Sequence, residues 1–406
     1  MKINQDTFCG AAWFQTRNRQ DMTKSICCLT EAYSDDPGTE SMTPMEYLNS
    51  PKIVQMREQM ADGIRVPQCH LCWKDEDSGT QSYRQKINSY LHSPWFTSYF
   101  KHKKGFNTDM VVMADVKIGN TCNFACVMCN PSDSSMIYNA WAKQKDSPFV
   151  KDYIDADPDY FQRVKRTGYK STSYRNYIES ILNNDKIRYI KFLGGEPLLD
   201  HKLLQMLMDL PDSRKKKLSL NFVTNGSHDL VEHSKKLGDF HRIQWAVSLE
   251  GIGATQDYAR YGSNWSQIEK HILAQKALED NVSVITCIQA TTITKLHELV
   301  QWTKTHNIPF ALGTVENPAY LTMSSVPDKL KKIALEKLKN VGSYIVYEEK
   351  EFTPFDIDSL IDLIDNTKYN KRLHKKFTEF IPFYEKGKIL PNFLDVFEEW
   401  RPYFEV

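Results

Sequence analysis

No run of about 18 consecutive apolar residues occurs anywhere in this chain, so no segment reads as a membrane-spanning helix. The opening residues, MKINQDTFCGAAWFQ, lack a basic stretch followed by an apolar one, which argues against a secretory signal. The sequence is therefore read as cytoplasmic, neither secreted nor held in a membrane. A net charge is also lacking: 52 lysines and arginines face 51 aspartates and glutamates, which removes any global electrostatic case for nucleic acid or anionic lipid. There is no tandem repeat and no low-complexity tract. With 41% hydrophobic and 25% charged residues over 406 positions, disorder cannot dominate, and two or three domains are expected.

Cysteine, by contrast, is plentiful. Nine cysteines are many for a reducing compartment, where disulfides are rare, so metal or catalysis should claim most of them. Cys9, Cys27, Cys28, Cys69 and Cys72 lie in the first eighty residues; Cys122, Cys126 and Cys129 crowd into GNTCNFACVMCNP. Cys287, inside the β-branched run VSVITCIQATT, reads as a small buried hydrophobe.

The chain divides by pattern. Residues 1–105 hold the dispersed cysteines and too little apolar periodicity to fold readily without a staple. Over residues 106–314, six β-rich runs (MVVMADVKI, IRYIKFLG, LSLNFVT, IQWAVSLE, VSVITCIQATT and IPFALGTV) alternate with amphipathic helical segments. That alternation predicts parallel strands, and six units fall short of a closed eightfold barrel, so an open (β/α)6 barrel is expected. Residues 315–406 read as mostly helical with aromatic punctuation. The fold class is α/β: a partial barrel, preceded by a small cysteine-rich domain and followed by a helical segment.

The cysteine triplet would sit on the loop leaving the first barrel strand, at the strand ends where parallel α/β folds place their chemistry. A structural zinc site wants four closed ligands, and an iron–sulfur cube wants four cysteines unless one iron stays open. No fourth ligand lies within the motif, Asp133 being the nearest carboxylate. The spacing suggests a cluster with one open iron.

CNFACVMC resembles the cluster loop of radical S-adenosylmethionine (SAM) enzymes, with Phe124 as the aromatic residue between the first two cysteines. The resemblance implies a [4Fe-4S] cluster on Cys122, Cys126 and Cys129, whose fourth iron is chelated by the amino and carboxylate groups of SAM. Further strand ends extend it. FLGGEPLLD resembles the segment that receives the SAM amino group (Gly194, Gly195, Glu196), and TNG matches at Thr224 and Asn225. In VSLEG, Ser248 resembles a ribose-binding position, with Glu250 standing where an aspartate is frequent. Arg260, in DYARYGSNW, would pair with the SAM carboxylate.

FCGAAWFQ, SICCLTE and PQCHLCWKDEDSGTQSYRQKIN resemble the shortened SPASM-like module called a twitch domain. This implies an auxiliary [4Fe-4S] cluster on Cys9, Cys69, Cys72 and one of the adjacent pair, Cys28 being preferred and Cys27 possible. A four-cysteine zinc site remains the alternative. Glu76, Ser82 and Arg84 match the same pattern. The implied activity is reductive cleavage of SAM to a 5′-deoxyadenosyl radical that abstracts hydrogen from a substrate C–H bond. The implied donor is a flavodoxin or ferredoxin, and the implied substrate a peptide or small metabolite, in an oxidoreductase or isomerase. A nucleotide or nucleobase is the alternative substrate, on the basic, tyrosine-rich YFQRVKRTGYKSTSYRNY (Arg163, Lys165, Arg166, Lys170, Arg175, with Tyr169 or Tyr174 for stacking). A non-catalytic iron–sulfur or zinc protein is the reading from outside the enzyme class.

Overall fold

The structure is a computed structural model of the chain, and it describes residues 4–19, 22–30, 38–77, 81–90, 94–165, 172–348, 351–355 and 357–404. Its frame is an eight-stranded sheet: β1 Gln15–Asn18, β2 Lys24–Ser25, β3 Met113–Lys117, β4 Tyr189–Leu193, β5 Ser219–Thr224, β6 Arg242–Ser248, β7 Val282–Ile288 and β8 Phe310–Thr314. The spatial order is β8-β7-β6-β5-β4-β3-β1-β2. From β3 to β8 every neighbour pair is parallel and in chain order. These six strands are the six runs named from the sequence, trimmed at their ends.

β4, β5 and β7 alternate in burial, as a sheet with one helix-covered face and one concave face requires. In β5, Leu220, Phe222 and Thr224 are buried while Ser219, Asn221 and Val223 are partly open. The covered face is stapled by ring stacking of Phe192 on Phe222, with centroids 5.3 Å apart, and of Phe222 on Trp245 at 5.0 Å. Crossover helices begin where the sequence supplies caps: Asp200, Asp229 and Asn264 each accept a backbone N–H in the first turn of His201–Met208, Leu230–Leu237 and Trp265–Leu278. The Leu230–Leu237 helix stops at Gly238, whose φ of +80° suits glycine.

The first hundred residues differ from expectation in two respects. They hold an aromatic core beside the cysteines. Trp13 and Phe14 pack edge-on against Phe100, with centroids 5.0 and 5.8 Å away, and the buried Arg57 lies over Trp13 while donating to the carbonyls of Ala12 and Phe106. Those aromatic residues come from short, separate elements, so no periodicity in the sequence announces their core. This segment also joins the barrel's sheet: β1 pairs parallel with β3, and β2 returns antiparallel. One continuous hydrophobic core runs from Phe8 to Trp400.

The last ninety residues are helical except for an antiparallel hairpin, Tyr344–Glu348 with Glu351–Phe355. Their aromatic residues form a cluster of Phe377, Phe393, Phe397, Trp400 and Phe404. No helix among the described residues is long and apolar enough to cross a membrane.

Candidate active site

The cysteine triplet lies beyond β3, on a loop tied down at many points. Ala125–Cys126 forms a two-residue bridge with Arg260–Tyr261, and Val127 N–H donates to Ala259 O at 2.8 Å. Ser134 caps the helix Ser135–Trp141 and also donates to Phe124 O at 2.6 Å; Ser135 Oγ meets both the N–H and the carbonyl of Cys122 at 3.1 Å. Phe124 is buried beneath the loop. Burial, and then the neighbouring thiol of Cys126, push the Cys122 thiol up to about 12; burial likewise raises Cys126 and Cys129. Three crowded, desolvated thiols are poor as thiolates unless a cationic centre joins them.

The Gly-Gly-Glu segment after β4 lies directly on this loop. Gly195 N–H donates to Gly119 O at 2.8 Å and Glu196 N–H to Thr121 O at 2.7 Å. A Cβ on Gly195 would stand 2.1 Å from Thr121 O, and one on Gly194, whose φ is +130°, 2.7 Å from Gly119 O. Both glycines are therefore required by backbone contact. Glu196 is fully buried; its carboxylate accepts from Thr224 Oγ1 at 2.8 Å, Asn225 N–H at 2.7 Å and Leu198 N–H at 3.1 Å. Burial nonetheless lifts it to about 7, the three hydrogen bonds pulling the other way. Asn225 reaches back to Asn123 at 2.8 Å, so the ends of β4 and β5 both clasp the cysteine loop.

At the end of β6, Ser248 is half-buried, and two residues on, Glu250 is fully buried. Arg260 Nη2 donates to Glu250 Oε1 at 2.6 Å, and its Nη1 lies 3.7 Å from Cys126 Sγ. The other Glu250 oxygen accepts from Thr286 Oγ1, Cys287 N–H and Gln289 Nε2 at 3.1–3.2 Å. Burial pushes the Arg260 guanidinium down, but Cys126 and Glu250 outweigh it and hold it raised. Its Nε is buried with no partner. Cys287 is half-buried on the same wall, not a fully covered core residue.

The residues around the triplet fit a cluster with one open iron: three thiols on one loop, a glycine cradle, a buried carboxylate, and a guanidinium whose Nε has no partner. The sequence brings Phe124, Gly194, Gly195, Glu196, Thr224, Asn225, Ser248 and Arg260 to neighbouring strand ends.

In the N-terminal part, Cys9, Cys27, Cys69 and Cys72 line one small cavity with Tyr83 and Arg84. Of the adjacent pair, Cys27 lines this cavity, whereas Cys28, preferred from the sequence, is exposed. Residues 26–30 form a bend after the short strand, and it turns Cys27 toward the other three thiols and leaves Cys28 outside. Burial pushes Cys9 up to about 11 and Cys27 to about 12. Glu76 holds Ser82 at 2.5 Å and Arg84 at 2.6 and 2.8 Å, and Arg84 bonds Phe8 O at 2.8 Å, which locks the residue beside Cys9. Among the described residues no three His, Cys, Asp or Glu side chains stand close enough to hold a single metal ion.

Several contributors carry no local signal in the sequence. Tyr384, on helix Lys371–Glu385, donates to Ala125 O at 3.1 Å and lies 3.0 Å from Tyr258 O, over 120 residues away in sequence. Lys388 Nζ lies 3.0 Å from the Tyr384 ring centroid; desolvation pulls it down to about 7 against the opposing pull of Cys126. A groove beside Asn130 and Ser132 opens between Tyr153, Tyr160, Tyr320 and Lys376. Of the basic stretch, residues 166–171, including Arg166, Tyr169 and Lys170, lie outside the described residues, as do the side chains of Arg163 and Lys165; Tyr174 is buried.

Residues 116–303 match the model of the radical SAM superfamily. No curated protein matches the chain. Among solved structures, native anSMEcpe with bound AdoMet and Cp18Cys peptide aligns at 15% identity over 57% of this chain and 58% of that one, with a TM-score of 0.37. TYW1 with a lysine–pyruvate adduct bound aligns at 15% identity over 59% and 74%, with a TM-score of 0.30. Streptococcus suis SuiB bound to S-adenosylmethionine aligns at 10% identity over 71% and 62%, with a TM-score of 0.36. Likenesses this weak carry no argument about activity or substrate.

Proposed function

We propose that this chain, whose residues 116–303 match the radical SAM superfamily, is an enzyme that cleaves SAM reductively and abstracts hydrogen from a peptide or small-metabolite C–H bond. The observation that carries the reading is the backbone contact of Gly194 and Gly195 with residues 119–121, which brings Glu196 and the cysteine loop together at adjoining strand ends. Cys122, Cys126 and Cys129 would hold the cluster, which with SAM bound would supply one-electron cleavage of a sulfonium and a radical able to attack unactivated C–H bonds.

The chain's own residues do the placing. Glu196 offers its remaining acceptor capacity to the SAM ammonium; three fixed donors keep the carboxylate oriented before SAM arrives. Arg260, positioned by Glu250, turns its unused N–H toward the SAM carboxylate. Ser248 and Asn225, at the ends of β6 and β5, would border the ribose. Tyr384 and Lys388 cover the loop from the C-terminal side, which keeps water from the reacting centre.

The N-terminal cavity takes an auxiliary [4Fe-4S] cluster on Cys9, Cys27, Cys69 and Cys72. Zinc, with sulfur bonds of about 2.3 Å, would have to draw these thiols into one tight tetrahedron. The auxiliary cluster would accept an electron from substrate or help bind it, in a reaction of oxidoreductase or isomerase type fed by a flavodoxin or ferredoxin. Anaerobically reconstituted protein, reduced in the presence of SAM, is expected to release 5′-deoxyadenosine. If none forms while the cluster is spectroscopically intact, the chain is a non-catalytic iron–sulfur protein and the reading fails.

A further inference from the structure

The inner face of the sheet carries a row of polar side chains that the chemistry above leaves unused. Register aligns Arg17 of β1 with Asp115 of β3, Asp115 with Lys191 of β4, Lys191 with Asn221 of β5, and Asn221 with Gln244 of β6. Aligned residues share a face of a sheet. Their chain neighbours Ala114, Ile190, Leu220 and Ile243 are buried on the helix-covered side, so the row lies on the concave side.

Arg17 and Asp115 pair at 3.1 Å, with side chains only 10% and 6% exposed. The pair uses one carboxylate oxygen. Asp115 Oδ1 is buried without a partner, and so is Asn221 Oδ1. Native proteins rarely leave buried acceptors orphaned, and two in one row mark places that want N–H donors. Lys191, half-buried between them, makes no ion pair among the described residues. Asn221 Nδ2 donates to Gln244 Oε1 at 3.3 Å, which leaves the Gln244 amide N–H groups for a ligand.

The charges and acceptors together define what fits. Arg17 offsets Asp115, so Lys191 is the surplus cation, matched to a monoanion; a phosphate dianion would face the Asp115 carboxylate. Carboxamides and orphaned acceptors match peptide amide groups, donor to acceptor. We propose that this row is a binding floor for a peptide segment carrying a carboxylate, with Lys191 taking the carboxylate and Asp115, Asn221 and Gln244 taking its amide groups. The inference rests on the reading of the chain as a peptide-modifying enzyme and specifies that substrate.

Cys28 is exposed and follows β2, the strand that pairs with β1 so that Ser25 stands opposite Arg17 at the end of the floor. Its neighbour Cys27 lines the thiol cavity, and Tyr83 of that cavity bonds Gln15 on β1 at 3.3 Å. The proposed auxiliary site and the floor thus share a wall.

Cys28 makes the floor measurable without SAM chemistry. Full-length reconstituted protein is alkylated anaerobically with iodoacetate or iodoacetamide, which differ as carboxylate and carboxamide. The Cys28 peptide is quantified by mass spectrometry, with rates referred to those of N-acetylcysteinamide. The iodoacetate rate is expected to saturate with reagent concentration. Lys191→Met should lower the iodoacetate-to-iodoacetamide ratio about tenfold and Lys191→Arg should restore it. The ratio cancels any change in the thiol's own reactivity, and an unchanged iodoacetamide rate shows that the variant is folded. N-acetylglycine and the α-amide of N-acetylglutamate are expected to protect Cys28; whichever protects better assigns the carboxylate to a chain end or to an acidic side chain. A ratio unmoved by Lys191→Met, protection by neither compound, or better protection by AMP overturns the proposal. Because no reductant or SAM is present, such a failure leaves the radical reading standing, whereas absence of 5′-deoxyadenosine removes the peptide's role as substrate and leaves the binding floor itself measurable.

Discussion

Glu250 and Arg260 form a buried ion pair, 2.6 Å from Oε1 to Nη2, whose cation also faces Cys126 Sγ at 3.7 Å. The pair couples the end of β6 to the cysteine loop. Glu250 accepts from four donors, so its removal strands a buried guanidinium and the polar groups of Thr286 and Gln289. Glu250→Leu should cost about 3–5 kcal/mol in urea unfolding, because breaking one side of a buried pair leaves an uncompensated charge. A loss below about 1 kcal/mol would show that Arg260 relaxes to solvent and is not held by Glu250.

Glu196 gives a pH dependence with a definite sign. Its folded value, about 7, is raised above the ordinary 4.5 by burial, so the protonated form is the one the fold favours. Its contribution to stability is present below pH 4.5 and is lost as pH rises through 7. The drop across that window is about 3 kcal/mol for protein without cluster or SAM. Glu196→Gln, which mimics the protonated acid, should flatten this part of the stability profile, measured by denaturant midpoints between pH 4.5 and 8. A wild-type profile already flat there contradicts the burial argument.

Gly195→Ala tests the backbone contact. Its Cβ would lie 2.1 Å from Thr121 O, and neither partner is a flexible side chain. The expected result is a fall in melting temperature and loss of roughly all iron bound by the triplet after desalting. Retention of wild-type iron would mean that the two loops separate easily, and the proposed SAM cradle would lose its basis.

The cysteines divide by iron content. The Cys122/Cys126/Cys129 triple alanine variant should keep only the iron of the N-terminal cavity. Cys27→Ala should lose metal from that cavity, while Cys28→Ala should keep it, since only Cys27 faces Cys9, Cys69 and Cys72. Iron and zinc quantitation with Mössbauer spectra decides between them. The reverse result for the adjacent pair would reinstate Cys28 as the ligand.

Tyr384→Phe removes one hydroxyl that joins helix Lys371–Glu385 to the carbonyls of Ala125 and Tyr258. It should cost about 1–3 kcal/mol, the penalty of leaving buried acceptors unpaired, and should speed the oxygen-driven bleaching of the cluster. Unchanged bleaching kinetics would confine Tyr384 to a packing role.

Much of the site was legible because its residues lie at strand ends, where a local motif and a strand boundary coincide. The triplet, Gly194–Glu196 and Thr224–Asn225 each announce themselves within a few residues. The choice between Cys27 and Cys28 was not legible, since adjacent residues differ only in which way the backbone turns them. Nor were Tyr384 and Lys388, which reach the cysteine loop from over 250 residues away.

The sequence by itself determined six parallel strands, β3 to β8, in one sheet, because β-rich runs separated by helical crossovers leave few other arrangements. Tertiary structure alone decided that β1 extends this sheet and that Arg17, Asp115, Lys191, Asn221 and Gln244 line up across it. Those five residues lie on five separate strands with no common spacing. Their alignment is a matter of register, which hydrogen bonds between strands fix and no single segment of chain contains.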